Sequence, residues 1–169
     1  MVSGILNLSK PPGLTSFDVV ATVRKLTKIR RVGHGGTLDP LASGVLPVCV
    51  GQATRITEFL AEATKIYSAQ LLLGVATDTY DAEGTMTWTG DPYSISEDRI
   101  AKVIDSFRGQ IEQTPPMYSA LKHHGKRLYK LARAGVIVER KKRSTMIHRL
   151  DLKAFQPPLM TIEVECGRG

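Results

Sequence analysis

Apolar residues in this chain gather into short alternating runs cut off by glycine or proline, and that pattern limits the fold more than any other feature. Residues 65–73 place Tyr67, Ala69, Leu71 and Leu73 on one face at period two. Residues 146–154 and 159–166 alternate in the same way, near enough in sequence to pair as a hairpin. Residues 5–8 make a shorter strand stopped by "KPPG", a turn by composition. "GVLPVCV" reads as a buried strand in which Pro47 marks a start, a bulge or an edge. One more strand, "TMTWTG", carries Met86 and Trp88 on one face. Helical spacing is rarer. Thr15 and Ser16 offer an N-cap for a helix over 17–28, with Val19, Val20, Val23 and Leu26 along one side. "TRITEFLAEA" is a short amphipathic helix. Ser96, with Glu97 and Asp98 behind it, opens a helix whose Ile100, Val103, Ile104 and Phe107 recur at helical spacing before Gly109 ends it. The expectation is an α+β fold: a mixed, largely antiparallel sheet with flanking helices.

With 169 residues the chain can build one domain around a real core, and no repeat or low-complexity linker divides it. Its 23 basic residues against 16 acidic leave a net charge of +7, which suits an anionic partner, nucleic acid ahead of membrane. A generically basic surface is the plainer reading. Cys49 and Cys166 each sit inside an apolar run, without the spacing of a metal knuckle or a disulfide framework. Both read as small buried hydrophobes in a reducing compartment. The apolar stretch at the N-terminus is too short for a signal peptide, and no run reaches membrane-spanning length. The expected setting is the cytoplasm, with no membrane, metal or cofactor involved.

Residues 33–51, "GHGGTLDPLASGVLPVCVG", concentrate backbone freedom around one carboxylate. They match neither the P-loop nor the dinucleotide fingerprint. Closely spaced glycines permit positive φ, or the close approach of another backbone or a flat ligand. Asp39 before Pro40 has a local reading, a turn in which the carboxylate accepts a neighbouring N–H. His34 by itself reads as a hydrogen-bonded loop histidine.

The longer string "RRVGHGGTLDPLASGVLPVCVGQATRI" closely resembles the signature of the TruB family of tRNA pseudouridine synthases. "GILNLSKPPGLTSFDVV" is similar to that family's N-terminal motif, and "KIYSAQLLLGVATDTYDAEG" to the motif carrying its active-site tyrosine. "TPPMYSALKHHGKRLYKLARAG", within about 114–140, resembles its RNA-gripping insertion. The resemblance spans essentially the whole chain. It implies the pseudouridine synthase catalytic fold, and conversion of uridine to pseudouridine at uridine-55 of the tRNA TΨC loop, by a monomer. It places Asp39 on the catalytic nucleophile, with attack on sugar or on base left open. Tyr67 falls on the tyrosine that packs against the target base, and His34 on the histidine that contacts the loop from which that base is turned out.

Elementary chemistry is consistent with those roles. A base must leave its stack before its glycosidic bond can be reached, at a cost of a few kcal/mol. A carboxylate serves as a covalent nucleophile if it is ionised and aimed. An aromatic face beneath a base contributes about 1–3 kcal/mol. Lys25, Lys28, Arg30 and Arg31 precede the loop, and Lys122, Lys126, Arg127, Lys130 and Arg133 lie in the insertion among Tyr118, His123, His124 and Tyr129. The second cluster is the better RNA candidate, with Lys122, Lys126 and Arg127 at its centre. Lys10 either contacts the site beside Tyr67 and the RNA or caps a turn.

Two other readings stay open: a guide-RNA-dependent relative that modifies ribosomal RNA, and an RNA-binding module without turnover. In the family, the strand that ends here at "CGRG" runs on into a Thr-Tyr-Ile-Arg segment whose arginine pairs with the catalytic aspartate. Arg168 does not occupy that position. The expectation is therefore a single truncated catalytic domain over 1–169, inactive alone and lacking the family's C-terminal RNA-binding domain.

Overall fold

Residues 2–119 and 121–168 are described in the computed structural model of the chain. Two compact units divide it, the first running to Ala63 and the second starting at Thr64.

In the first unit, β1 (Gly4–Lys10), β2 (Val32–His34) and β3 (Gly44–Val50) form an antiparallel sheet in the order β1-β3-β2. Helix α1 (Ser16–Thr27) connects β1 to β2, and a 3₁₀ turn over Gly51–Ile56 leads into α2 (Thr57–Glu62). Thr15 caps α1 by accepting the Asp18 N–H, while the Asp18 carboxylate accepts the Thr15 N–H in return. That bonding holds the Asp18 carboxyl below its ordinary value. Val20 and Val23 bury against Val32, Leu46, Val48 and Val50 to make the unit's core. Leu26, expected on the same side, is exposed. At about 100° per residue it lies about 120° round the helix from Val20, off the buried stripe.

Pro47 corrects the expectation of a start, bulge or edge, because it sits inside the central strand β3, opposite Asn7 of β1. The β2 ladder ends at His34↔Val48, and Pro47 only accepts the Gly35 N–H there, at 2.9 Å. The N–H that proline lacks would face the side where β2 has already stopped, so no ladder bond is lost. β2 itself was not legible as a strand.

The second unit is built on a four-stranded antiparallel sheet, which takes in β4 (Lys65–Leu72). A two-stranded ribbon follows, of β5 (Val75–Thr77) and β6 (Met86–Thr89). Next come α3 (Glu97–Ser106) and β7 (Gly109–Gln113). The insertion supplies a small hairpin, β8 (Lys122–His123) with β9 (Lys126–Arg127), and the short helix α4 (Leu128–Arg133). The long strands β10 (Arg143–Gln156) and β11 (Leu159–Cys166) complete the sheet in the order β4-β11-β10-β7. The tight turn between them carries a cis Pro157–Pro158 peptide.

Ser96 caps α3 as its sequence suggests, and Ile100 and Ile104 bury with Leu150. Around them pack Leu73, Ile147, Leu152, Phe155 and Met160 from the sheet and its turns. Val103 and Phe107, expected on that face, are half exposed. Val103 flanks the buried stripe, and Phe107 lies beyond the last helical residue as the C-cap. The architecture is α+β with antiparallel pairing throughout the described ladders.

Candidate active site

Asp39 is exposed in the loop joining β2 to β3, and a main-chain hydrogen bond closes its turn. The Asp39 carbonyl accepts the Ala42 N–H at 3.1 Å, closing a turn over Asp39–Pro40–Leu41–Ala42. The local reading of Asp39 placed its carboxylate in such a turn. Instead, the described residues form no hydrogen bond or ion pair to that carboxylate, so the turn stands without it. The Pro40 carbonyl accepts the Gly13 N–H at 2.8 Å and a longer contact from Lys10 Nζ at 3.3 Å.

Lys10 has no exposed surface, and its ammonium also donates to the carbonyls of Leu14 at 2.7 Å and Pro11 at 2.9 Å. Of its two readings, the geometry favours the turn cap. A buried ammonium is tolerated because three carbonyl dipoles replace its water. It ties "KPPGL" to the residue after Asp39.

None of the glycines around His34 has positive φ, and at Gly35 the requirement is close approach. The left-handed glycines of this unit are Gly13, Gly44 and Gly51. Gly35 is buried, and a Cβ there would lie 2.7 Å from the Leu60 Cβ of α2. What approaches this backbone is thus the chain's own helix. His34 ends β2 opposite Val48, partly buried, and its Nδ1 is buried without a hydrogen-bond partner. In the preceding basic cluster, Arg31 is held by Thr54, with Nε donating to Oγ1 at 2.7 Å. Arg24, not singled out from sequence, donates to the Val32 carbonyl at 2.8 Å and lies over the Phe17 ring.

Lys10, His34 and Asp39 thus belong to the first unit, and Tyr67, Lys122, Lys126 and Arg127 to the second. Tyr67 is 39% exposed near the start of β4, paired with Val164 of β11. Period two turns it to the same face as Ala69 and Leu71. Lys122, Lys126 and Arg127 are brought together by the β8–β9 hairpin, where Lys122 pairs with Arg127 and His123 with Lys126. His124 and Gly125 make its two-residue turn with φ of 46° and 80°. Both central residues left-handed is the type I′ signature, usually written Asn-Gly, so His-Gly went unread. The three basic side chains are exposed, and Arg133 lies over the Tyr129 ring, 5.7 Å from its centroid. Among the described residues no group of three or more His, Cys, Asp or Glu side chains could hold a metal, and no helix is long and apolar enough to cross a membrane.

Residues 24–169 match the profile of the TruB family pseudouridylate synthase N-terminal domain. A tRNA pseudouridine synthase B of Clostridium kluyveri is 51% identical over 168 residues, covering 99% of this chain and 58% of that protein. A protein of the same name from Dehalococcoides mccartyi is 49% identical, covering 99% of this chain and 56% of its own length. Among solved structures, a chain from the crystal structure of a Cbf5–Nop10–Gar1 complex superposes with a TM-score of 0.71 at 32% identity, over 98% of this chain and 40% of that one. The chain therefore spans a little over half the length of these curated relatives. With its fold and nearly all its length matched, the chain belongs to the TruB family of pseudouridylate synthases.

Proposed function

We propose that this chain carries the catalytic portion of a cytoplasmic enzyme that isomerises uridine-55 of the tRNA TΨC loop to pseudouridine. The observation that carries this reading is the Asp39 carboxylate, exposed on a loop whose turn is closed by main chain. A carboxylate not needed for the loop's own structure is available to react. The relatives at 49–51% identity bear the name of a tRNA pseudouridine synthase.

In the reaction, the glycosidic C1′–N1 bond breaks and a C1′–C5 bond forms. The proton lost from C5 is balanced by one gained at N1, so nothing is consumed. Asp39 acts as the nucleophile that holds the nucleotide while the base is detached and turned. Tyr67 offers its ring to the flipped base and assists removal of the C5 proton. His34 enters the gap the base leaves. Lys122, Lys126 and Arg127 grip phosphates of the T-stem-loop, and Lys10 keeps the loop's carbonyls in place. The enzyme acts as a monomer on tRNA.

The test is Asp39→Asn in the chain extended to the length of its relatives. Pseudouridine in T-stem-loop RNA, read by mass spectrometry, should fall below detection, while RNA affinity stays within about threefold. Turnover at the wild-type rate would refute the nucleophile assignment. A guide-RNA-dependent activity, suggested by the likeness to the Cbf5 chain, is set second because that identity is only 32%. Turnover on tRNA without any guide separates the two.

A further inference from the structure

Ser16 is the first residue of α1 and is 2% exposed, yet its hydroxyl does not cap the helix, because Thr15 does. It reaches Leu38 instead, 22 positions away, accepting the Leu38 N–H at 2.9 Å and donating to the Leu38 carbonyl at 3.1 Å. One buried hydroxyl therefore holds both main-chain groups of the residue before Asp39. On the other side, the Pro40 carbonyl is held by Gly13 and Lys10.

We propose that Ser16 is a positioning residue for Asp39, fixing the peptide plane from which its side chain departs. This rests on the reading of Asp39 as the nucleophile. The Leu38 carbonyl lies in the peptide plane that ends at the Asp39 nitrogen, so anchoring it limits φ at Asp39. Pro40 restricts ψ at the residue before it. With both dihedrals limited, the Cα–Cβ bond of Asp39 keeps one direction although no described residue bonds its carboxylate. The carboxylate is then free to react but not free to wander. Geometry of this kind matters because a displacement of about 1 Å at a reacting group can cost about 100-fold in rate.

The experiment uses Ser16→Ala, Ser16→Thr and Asp39→Asn in the chain extended to its relatives' length. Three quantities are read: amide exchange at Leu38, kcat and KM on T-stem-loop RNA, and the melting temperature. Ser16→Ala should speed Leu38 exchange and lower kcat about 10- to 100-fold, with KM within about twofold. Ser16→Thr, which keeps the hydroxyl, should restore kcat to within about threefold. Leu38 exchange unchanged in Ser16→Ala would overturn the anchoring. Faster exchange with wild-type kcat would overturn the aiming, as would an activity loss that merely follows the unfolded fraction or that Ser16→Thr does not relieve in a variant melting like wild type. Should Asp39→Asn keep its turnover, the nucleophile reading fails and the aiming role with it, while the exchange result still decides whether Ser16 anchors Leu38.

Discussion

Asp39 and Lys10 form a pair with opposite needs: one carboxylate left to solvent, one ammonium with no solvent at all. Replacing Lys10 by Met would leave the Leu14 and Pro11 carbonyls short of a buried donor, while Pro40 keeps Gly13. The expected loss is about 1–3 kcal/mol in urea unfolding, with the loop carrying Asp39 loosened as well. A variant as stable as wild type would show that those carbonyls find water instead. Asp39 and His34 were singled out from sequence because their motif is long and unusual. The anchoring by Ser16 was not, since a serine beside Thr15 reads as a second cap and nothing local announces a partner at Leu38. Leu26 failed for the opposite reason: an apolar residue near the right phase was assigned to a stripe too narrow to include it.

The elements best read from sequence are those whose pattern is internally complete. Strand β11 was placed at 159–166 because it alternates over its full length, and α3 because Ser96 and its acidic first turn mark its start. Strands β2 and β7 went unread. "VGH" and "GQIEQ" contain too few apolar residues to alternate, and become strands only through pairing with β3 and β10. The β10–β11 ladder also carries an ionic ladder of its own. The Arg149 guanidinium binds Asp151 and Glu163, each at 2.7 Å, and Glu165 at 3.4 Å; Lys153 adds a 3.2 Å contact to Glu163. Hydrogen bonding to Arg149 holds the Asp151 and Glu163 carboxyls below their ordinary values of 3.8 and 4.5. Because these values are depressed in the folded state, the stabilisation is complete above about pH 4.5 and is lost as pH falls through the lowered values. Arg149→Met should therefore be less stable than wild type at pH 7, and the gap should close by about pH 2. A gap independent of pH in chemical denaturation would mean that Arg149 acts through packing alone.

At the scale of the molecule, charge is the property that reaches furthest. The net +7 is the excess of 23 basic over 16 acidic residues, and three of the exposed basic ones share the β8–β9 hairpin. If these three neutralise phosphates, the slope of log affinity against log salt should shrink in magnitude by about 2 to 3 in a Lys122, Lys126 and Arg127 triple alanine variant. An unchanged slope would place the phosphate contacts elsewhere, with Lys25, Lys28, Arg30 and Arg31 next to be tested. Composition points to an anionic partner in kind, but only the turn at His124 and Gly125 gathers particular side chains.

The register of β7 on β10 has a consequence for how such a protein can be altered. Gln113 pairs with Arg143, so the two ends of the insertion are neighbours across one rung of the sheet. Antiparallel neighbours need only a two-residue turn to join them. The insertion is in that sense a detachable module, spliced into what would otherwise be a plain hairpin. Excising residues 114–142 and joining the strands with Asn-Gly should leave the sheet folded, as slow amide exchange along the β10–β11 ladder would report. The shorter closure should return roughly 2 kcal/mol of chain entropy, offsetting part of what the module's own packing supplied. Loss of the folded signal would mean that the insertion is part of the scaffold; retention of it, with RNA affinity lost, would mean that recognition and scaffold can be exchanged independently.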